Sequence, residues 1–576
     1  MLREAGGDRI ADAVDQLIAA DLVLEAAPGE RREGRYRFKH AVVQEVAYNT
    51  LLVRRRIELH RRVAAAYEAV LGEELKEFYP ALAHHYLIGE VPEKAAEYSW
   101  KSAQRATAIH AYIEALRFAE QALELNEKIQ RIDAAVEALY LIARVRRYRG
   151  ETDAALSAYE RALVLLEARD PKSGEVAILL AHMAELCTRW DAKYPDLEGL
   201  IERGLAIVGT ARSRERVLLL AAKSFMPRRG PKSTDADWEA SLATAKEALA
   251  IAEELGLLRE RSLCLDAVGY AYRELGNFRE AYLANQRRLP IARSLQDSDE
   301  LIDAHTMVAL AALSLGDMSE AMEHAASARE VAIETEKPRL GAHALRTEAL
   351  AHLLAGDFPG TLAAAARRER FASPTKWPSM LGIAIGAAAA MASPEEKTYR
   401  DLLVEQEASP SEIALADFFA AYYGLRESES AYHALRSAGQ PKAIIDHMLV
   451  GPLMVLAAAR WRVPDEAFED RVASIVERTG HARGRALLTQ AEAIRAYHAG
   501  EHIKSAKLLF DAVQAFATLK LDYERAVALA DLARALHDVP GREEQAQAQC
   551  DEAKAIAERL SATALRVAAE NLTVRV

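Results

Sequence analysis

The side chains that could carry chemistry lie scattered along the sequence. The three cysteines, Cys187, Cys264 and Cys550, are far apart and lack the spacing of a zinc site or a disulfide framework. Of the sixteen histidines only His84 and His85 are adjacent, and neighbouring residues on a helix point about 100° apart. We therefore predict histidines that hydrogen-bond on a helix face, and no metal ligands.

Motifs for catalysis are also missing from the sequence. No GxxxxGK[ST] loop is present to hold phosphates. The many Glu/Arg pairs three or four residues apart are typical of ion pairs on helix surfaces. We predict no catalytic residue, no cofactor and no enzymatic activity for this chain. A fragment of an enzyme is the alternative, and ATP turnover or cyclic-nucleotide synthesis by the isolated chain would reveal it.

Helices are the elements predicted to position any binding site. The 576 residues are 51% hydrophobic but only 6% aromatic, and long stretches consist of Ala, Leu, Glu and Arg. This usage is typical of closely packed helices. The formal net charge of −12 argues against a surface devoted to nucleic acid or anionic lipid. Composition predicts an all-α fold.

No segment of the sequence is predicted to enter a membrane. The longest uncharged apolar run, Met380 to Ala392, is shorter than the roughly 20 residues of a spanning helix. The opening residues MLREAGGDRI lack the apolar centre of a signal peptide. We expect a tightly packed helix in the apolar run and a cytoplasmic protein.

A short pattern recurs with a period of forty residues. It is GNFREA at Gly276, GDMSEA at Gly316 and GDF at Gly356. Apolar residues three and four apart precede each glycine, and a second helical segment follows it. Glycine suits such a turn because the first helix must end in a left-handed conformation that a Cβ disfavours. The repeat unit is therefore predicted to be helix, tight turn, helix.

These positions resemble the tetratricopeptide repeat. The match is carried by Val268, Gly269, Tyr272, Gly276, Phe278 and Ala281. Two features depart from the family: the period exceeds its usual length of about 34 residues, and Arg288 lies where the family has an alanine at the helix crossing. The resemblance implies a tetratricopeptide-like α-solenoid, a right-handed superhelix of helical hairpins.

The N-terminal residues differ in kind from the repeats. A helix over Asp8–Ala20, a strand-like Leu22–Leu24, a turn at Pro28–Gly29 and a returning Tyr36–Phe38 are typical of the end of a winged helix. This module and the stretch to Tyr48 resemble the link between ATPase and repeats in bacterial signal-transducing P-loop ATPases, of the kind fused to class III adenylate or guanylate cyclases. The resemblance implies an upstream ATPase or cyclase module as a partner.

The sequence predicts four divisions along the chain. They are a partial winged helix with linker helices (1–75), tetratricopeptide-like repeats (76–392), degenerate helical repeats (393–480) and C-terminal repeats (481–576). Two prolines and a glycine between Phe225 and Ser233 additionally predict a long loop whose arginines point to solvent. An exposed insertion between repeats is the favoured interpretation of this loop, and a docking loop is the alternative.

Two functions remain open from the sequence. The favoured one is a sensor scaffold that binds a peptide, protein or small effector and relays binding to an ATPase or cyclase domain. The alternative is a DNA-associated transcription regulator, because ten Lys or Arg face three Glu between Arg31 and Arg62. The helix over Asp8–Ala20 disfavours it, having one Arg against three Asp.

In tetratricopeptide arrays the first helix of each hairpin lines the concave surface, so the resemblance implies where a partner binds. Arginine and tyrosine there suit an acidic peptide or a carboxylate. The alternative is that these side chains are merely solvated. The residues predicted on that surface are Tyr140, Arg144, Arg147, Asp266, Tyr270, Arg273 and Arg346.

Overall fold

The computed structural model describes residues 7–25, 36–190, 192–229, 233–370, 378–438 and 449–573. These residues form 29 α-helices and one two-stranded sheet. Most consecutive helices pack against each other as neighbours. The predicted all-α array of helical hairpins is confirmed.

The chain divides into two compact units, Met1–Ile207 (unit one) and Val208–Val576 (unit two). The sequence-based divisions follow repeat register rather than packing, and they stay predictions. Unit one contains α1 (Gly7–Ala19), β1 (Val23–Glu25), β2 (Tyr36–Phe38), α2 (Ala41–Thr50), α3 (Val53–Val70), α4 (Tyr79–Ile88), α5 (Pro92–Ala108), α6 (Tyr112–Lys128), α7 (Ile132–Tyr148), α8 (Thr152–Arg169), α9 (Gly174–Trp190) and nearly all of α10 (Leu197–Val208).

At the N-terminus one helix is followed by an antiparallel hairpin. β1 pairs with β2 so that Val23 lies opposite Phe38. The predicted turn at Pro28–Gly29 lies outside the described residues. Helix and hairpin agree with the predicted element order, whereas the winged-helix assignment stays a prediction.

Unit two is formed by the remaining nineteen helices. They are α11 (Arg214–Ser224), α12 (Asp235–Glu254), α13 (Leu258–Glu274), α14 (Phe278–Leu295), α15 (Ser298–Leu315), α16 (Met318–Glu334), α17 (Pro338–Ala355), α18 (Phe358–Ala366), α19 (Pro378–Ala390), α20 (Glu395–Glu405), α21 (Pro410–Tyr423), α22 (Glu429–Ser437), α23 (Gly451–Trp461), α24 (Glu466–Thr479), α25 (Ala482–His498), α26 (His502–Thr518), α27 (Asp522–His537), α28 (Glu543–Arg559) and α29 (Thr563–Thr573).

The turn glycines have the left-handed backbone that the repeat predicts. The φ angles are +78° at Gly276, +86° at Gly316 and +75° at Gly356. Each glycine separates two packed helices, for example α13 and α14. The hairpins are joined to one another differently, because a non-glycine residue such as Gln296, with φ of +52°, takes the left-handed position. The turns at Gln296 and Glu336 carry no glycine signal in the sequence, whereas Gly256, with φ of +66°, provides one between α12 and α13.

Small residues allow the paired helices to approach closely, as predicted. A Cβ built on Gly269 would lie 2.6 Å from Asn285 Nδ2 of α14. Ala309 and Ala349, at the equivalent positions, have no exposed surface. Any larger side chain at Gly269 would therefore push α13 and α14 apart.

The degenerate region also forms helices, and its start signals behave as expected. Ser409 and Glu412 form a reciprocal capping box at the start of α21. The apolar run forms α19, in which Leu381 and Ile385 are fully buried. Among the described residues, no helix combines the length and the apolar character needed to cross a membrane.

Within unit two, the C-terminal helices pack back onto the turns of the earlier hairpins. A Cβ on Gly276 would meet Thr479, and one on Gly356 would meet Tyr523. The Phe278 ring lies edge-on to His481, with centroids 6.3 Å apart. One hydrophobic core therefore runs from Phe278 to Leu565. The forty-residue period did not reveal this second layer.

The buried histidine of this layer should make unit two sensitive to acid. His481 is 5% exposed, and burial, followed by the charge of Arg483, lowers its pKa to about 3. Below the ordinary pKa of 6.5 the unfolded chain binds a proton that the folded chain does not bind. The free energy of unfolding therefore decreases as the pH is lowered. We expect His481 alone to remove about 2 kcal/mol between pH 7 and pH 5.

His481→Asn tests this prediction, because asparagine can still accept the cap hydrogen bond that His481 takes from the Gly484 N–H but cannot titrate. We expect the variant to lose less melting temperature than the parent between pH 7 and pH 5, as followed by circular dichroism. Equal losses in the two proteins would contradict the assignment.

Candidate partner-binding site

Three predicted partner-binding residues lie on α13 in a fixed relation. Asp266, Tyr270 and Arg273 are four and three residues apart, which places them on one side of the helix. The adjacent Gly269 seats α13 against α14. The close helix contact thereby fixes the direction in which these three side chains point.

Tyr270 forms the centre of an aromatic and cationic cluster. Its ring centroid lies 5.6 Å from that of Trp238 and 6.0 Å from that of Phe225. The guanidinium of Arg273 lies 4.1 Å from the ring centroid and that of Arg228 lies 5.6 Å from it. Burial raises the pKa of Tyr270, so the phenol is neutral at physiological pH and serves both cations as an aromatic face.

Arg228 comes from the segment predicted to be a loop with solvent-directed arginines. Residues Met226–Arg229 instead form a short 3₁₀ turn. Arg228 is exposed, as expected, but its guanidinium also contacts the Tyr270 ring. Polar and aromatic groups on α13 thus hold one cation at the surface of this segment.

Arg273 keeps its charge although it is only 7% exposed. It donates a hydrogen bond of 3.0 Å to the Glu274 carboxylate. Burial opposes the charge, but Tyr270 and Glu274 together raise the pKa of Arg273. The cation is therefore permanent and partly neutralised by its own neighbour.

The pKa of His343 on α17 is shifted by several charged groups. Burial, followed by the positive charge of Arg346, lowers its pKa to about 3, and Asp303 acts in the opposite direction. Arg273 and Arg228 lower the same pKa further. A neutral imidazole therefore lies within the field of three guanidinium groups. We name this surface, Arg228, Tyr270, Arg273, His343 and Arg346, the Tyr270 face.

Asp266 has a different role from the other residues on its helix face. Arg288, with no exposed surface, donates hydrogen bonds to Asp266 at 2.9 Å and Glu300 at 2.6 Å. It also forms an ion pair with Asp303 at 2.7 Å. Asp266 is 6% exposed, and its carboxylate belongs to this buried ion network.

The predicted residues of unit one form a separate cluster. The Tyr140 ring lies 5.7 Å from Tyr159 and 6.0 Å from His182 between centroids, and Arg147 lies 5.0 Å above the Trp190 ring. Arg144, three residues before Arg147 on α7, is exposed.

The acid of this cluster is Glu185. Burial opposes its charge, but His182, Arg189 and Arg147 lower the pKa of Glu185 to about 2. A permanent carboxylate therefore lies beside the predicted arginine, and it reduces the positive charge that unit one can offer to an anion.

The structure thus groups the predicted residues by unit. In unit two Tyr270 contacts Arg273, and the charges of Arg273 and Arg346 act on His343. Asp266 joins the ion network, and the unit-one residues form their own cluster. That any of them contacts a partner stays a prediction. Sequence reasoning missed Arg228, Trp238, His343 and the partners of Arg288; the one available signal was an arginine at a crossing position where a small residue was expected.

His85, one of the two adjacent histidines, pairs with a third histidine, and its ring also contacts that of His84. His85 Nδ1 lies 2.8 Å from His60 Nδ1 on α3, and Tyr48 hydroxyl lies 3.1 Å from His60 Nε2. This agrees with hydrogen-bonded histidines on helix faces. Across the described part of the chain, no three His, Cys, Asp or Glu side chains gather as metal ligands would.

The chain has a partial sequence match and similarities of fold among known proteins. No protein-family model matches the chain. An uncharacterized protein of Rhizobium meliloti (strain 1021) is 31% identical over 144 residues, which are 25% of this chain and 14% of that protein. The chain therefore spans a small part of that relative's length.

Two solved structures are similar at low sequence identity. One is a Signal Transduction ATPase with Numerous Domains (STAND) protein with a tetratricopeptide repeat sensor from Pyrococcus horikoshii, at 14% identity and a TM-score of 0.40 over 68% of this chain and 58% of that one. The other is a Rap protein complexed with competence and sporulation factor, at 14% identity and a TM-score of 0.32 over 86% of this chain and 99% of that one.

Proposed function

We propose that the chain is a non-catalytic scaffold that binds an acidic peptide or protein segment at the Tyr270 face. The observation that carries this proposal is the contact of two guanidinium groups, Arg228 and Arg273, with one half-buried tyrosine. The charges of both, and that of Arg346, also act on His343. In the wider proposal, this binding is relayed through the N-terminal module to an ATPase or cyclase domain. The relay rests on the resemblance of the N-terminal segment alone.

The chemistry of the Tyr270 face suits a carboxylate-bearing segment. Arg228 and Arg346 are exposed, and a guanidinium binds a carboxylate through two parallel charge-assisted hydrogen bonds. Tyr270 supplies rigid contact area beside them. Arg273 is buried, so the two exposed arginines are the groups expected to contact the partner.

Several arginines of the basic N-terminal stretch are engaged within the protein itself. This favours the scaffold over the DNA-associated alternative. Arg61 donates hydrogen bonds to the carbonyl oxygens of Gly89 and Glu90, and Arg55 pairs with Glu58. Arg56 lies 5.2 Å above the Tyr48 ring. Arginines that hold neighbouring helices together are less available for phosphate contacts.

An array of peptides tests the proposed partner class. We expect the full chain to bind Asp/Glu-rich peptides at least tenfold more tightly than the same peptides with Asn/Gln replacements, since each charge-assisted contact contributes about 1.5–3 kcal/mol. Arg346→Glu should remove this preference. Arg287→Glu is the matched control, because Arg287 of α14 is exposed and pairs with Glu253 of α12.

Equal binding of the acidic and amide peptides by the parent would contradict the proposed partner class. Equal losses in Arg346→Glu and Arg287→Glu would show a general charge effect and would contradict the proposed site.

A further inference from the structure

A cavity lies between the C-terminal helices of unit two. Its volume is about 210 Å³, enough for on the order of fifteen water-sized groups. It is lined by α21, α23, α25, α27 and α29. None of these helices contributes to the Tyr270 face, so the cavity is independent of the proposed function.

The cavity wall is mostly apolar and aromatic. Tyr422 and Trp461 supply rings, and Ile494, Val527 and Leu565 supply aliphatic surface. Apart from partly exposed Trp461, these side chains are at most 5% exposed. Such a wall binds an apolar or aromatic body by removing it from water.

Charged side chains converge at one end of the cavity. Asp531, 7% exposed, accepts hydrogen bonds from Arg460 at 2.5 Å and from Gln490 at 2.9 Å. Arg534 lies farther from Asp531, at 3.6 Å, and its side chain is 46% exposed. Asp531 is thus fully engaged by its buried neighbours, and Arg534 is only weakly held by it.

The polar end balances two arginines against two carboxylates and has an unused donor. Arg460 and Arg534 face Asp531 and Glu427, and Arg462 donates to His498 at 3.1 Å. Burial lowers the pKa of His498, and the charge of Arg462 lowers it further. Glu427 and Asp531 act in the opposite direction. The Arg460 Nε is buried without a hydrogen-bond partner among the described residues. A buried donor of this kind favours an anionic acceptor.

From this geometry we infer that the C-terminal cavity binds a small amphipathic carboxylate, with its aromatic or aliphatic body against Tyr422 and Trp461 and its carboxylate at Arg534 and Arg460. A volume of about 210 Å³ is too small for a peptide segment of several residues and suits a ligand smaller than a typical drug-sized molecule.

Isothermal titration of the full chain with benzoate, phenylacetate, indole-3-acetate and octanoate tests the inference. We expect at least one acid to bind tenfold or more tightly than its neutral amide, because an amide cannot form a charge-assisted hydrogen bond with Arg534. Arg534→Gln should weaken binding of that acid about tenfold and leave binding of its amide unchanged. Ala568→Leu, which fills the cavity without removing a charge, should abolish binding of both.

Arg485→Gln is the matched control, since Arg485 is an exposed arginine of α25 that does not line the cavity; it should bind like the parent. The inference is overturned if none of the four acids binds at 10 mM, or if acid and amide bind equally. It is equally overturned if Arg534→Gln and Ala568→Leu both bind like the parent. Far-ultraviolet circular dichroism of each variant confirms that the fold is retained.

Discussion

Gly276→Ala is expected to destabilise unit two by roughly 2–5 kcal/mol, while Gly316→Ala is expected to cost only about 1–2 kcal/mol. Both glycines have left-handed backbones, with φ of +78° and +86°, so both substitutions carry the same conformational penalty. They differ in surroundings, because a Cβ at Gly276 overlaps Thr479 and one at Gly316 has no atom within 4 Å. Gly316 is therefore a control for backbone strain alone.

Thermal melts followed by circular dichroism measure the difference, with Gly276→Ala/Thr479→Ala as a third variant. Removing the Thr479 methyl should recover the part of the loss that comes from overlap, but not the part that comes from the backbone. Equal melting temperatures for Gly276→Ala and Gly316→Ala would show that α24 does not pack on this turn.

Arg288→Met is expected to destabilise unit two by about 3–5 kcal/mol, because it leaves buried carboxylates without their cation. Arg288 has no exposed surface, and it contacts Asp266, Glu300 and Asp303 within 3 Å. The side chain that replaces it has similar length, so packing changes little. The penalty comes from the uncompensated charges.

Arg287→Met is the matched control, since the neighbouring arginine is exposed and pairs with Glu253 across the surface. Such pairs contribute at most about 1 kcal/mol. Adding Glu300→Gln to Arg288→Met should recover part of the stability by removing one orphaned charge. If Arg287→Met and Arg288→Met melt at the same temperature, the network does not stabilise the fold.

The hairpins were predictable because local backbone chemistry repeats along the sequence. Gly276, Gly316 and Gly356 mark turns whose left-handed geometry depends on neighbours in the chain. Gly269 likewise marks a close helix contact within one hairpin. The capping box of Ser409 and Glu412 is equally local. Features that depend only on residues within one hairpin can therefore be predicted from the local sequence pattern.

Contacts between distant segments were not predictable in the same way. Thr479 lies about two hundred residues after Gly276, and no local pattern links them. Arg288 was noticed only as a departure from alanine, since its three carboxylate partners belong to other turns and helices. His343 and Arg228 joined the Tyr270 face for the same reason. Of the site, the sequence indicated Tyr270, Arg273 and Arg346 but not the groups that surround them.

Hydrogen–deuterium exchange of the full chain, with and without the acidic peptide of the array that binds most tightly, tests whether an acidic segment binds at the Tyr270 face. Binding at the Tyr270 face should slow exchange in α13, α17 and the turn at Met226–Arg229, and Arg346→Glu should abolish that protection. Protection confined to unit one, or to helices of unit two outside the Tyr270 face, would contradict the proposed site.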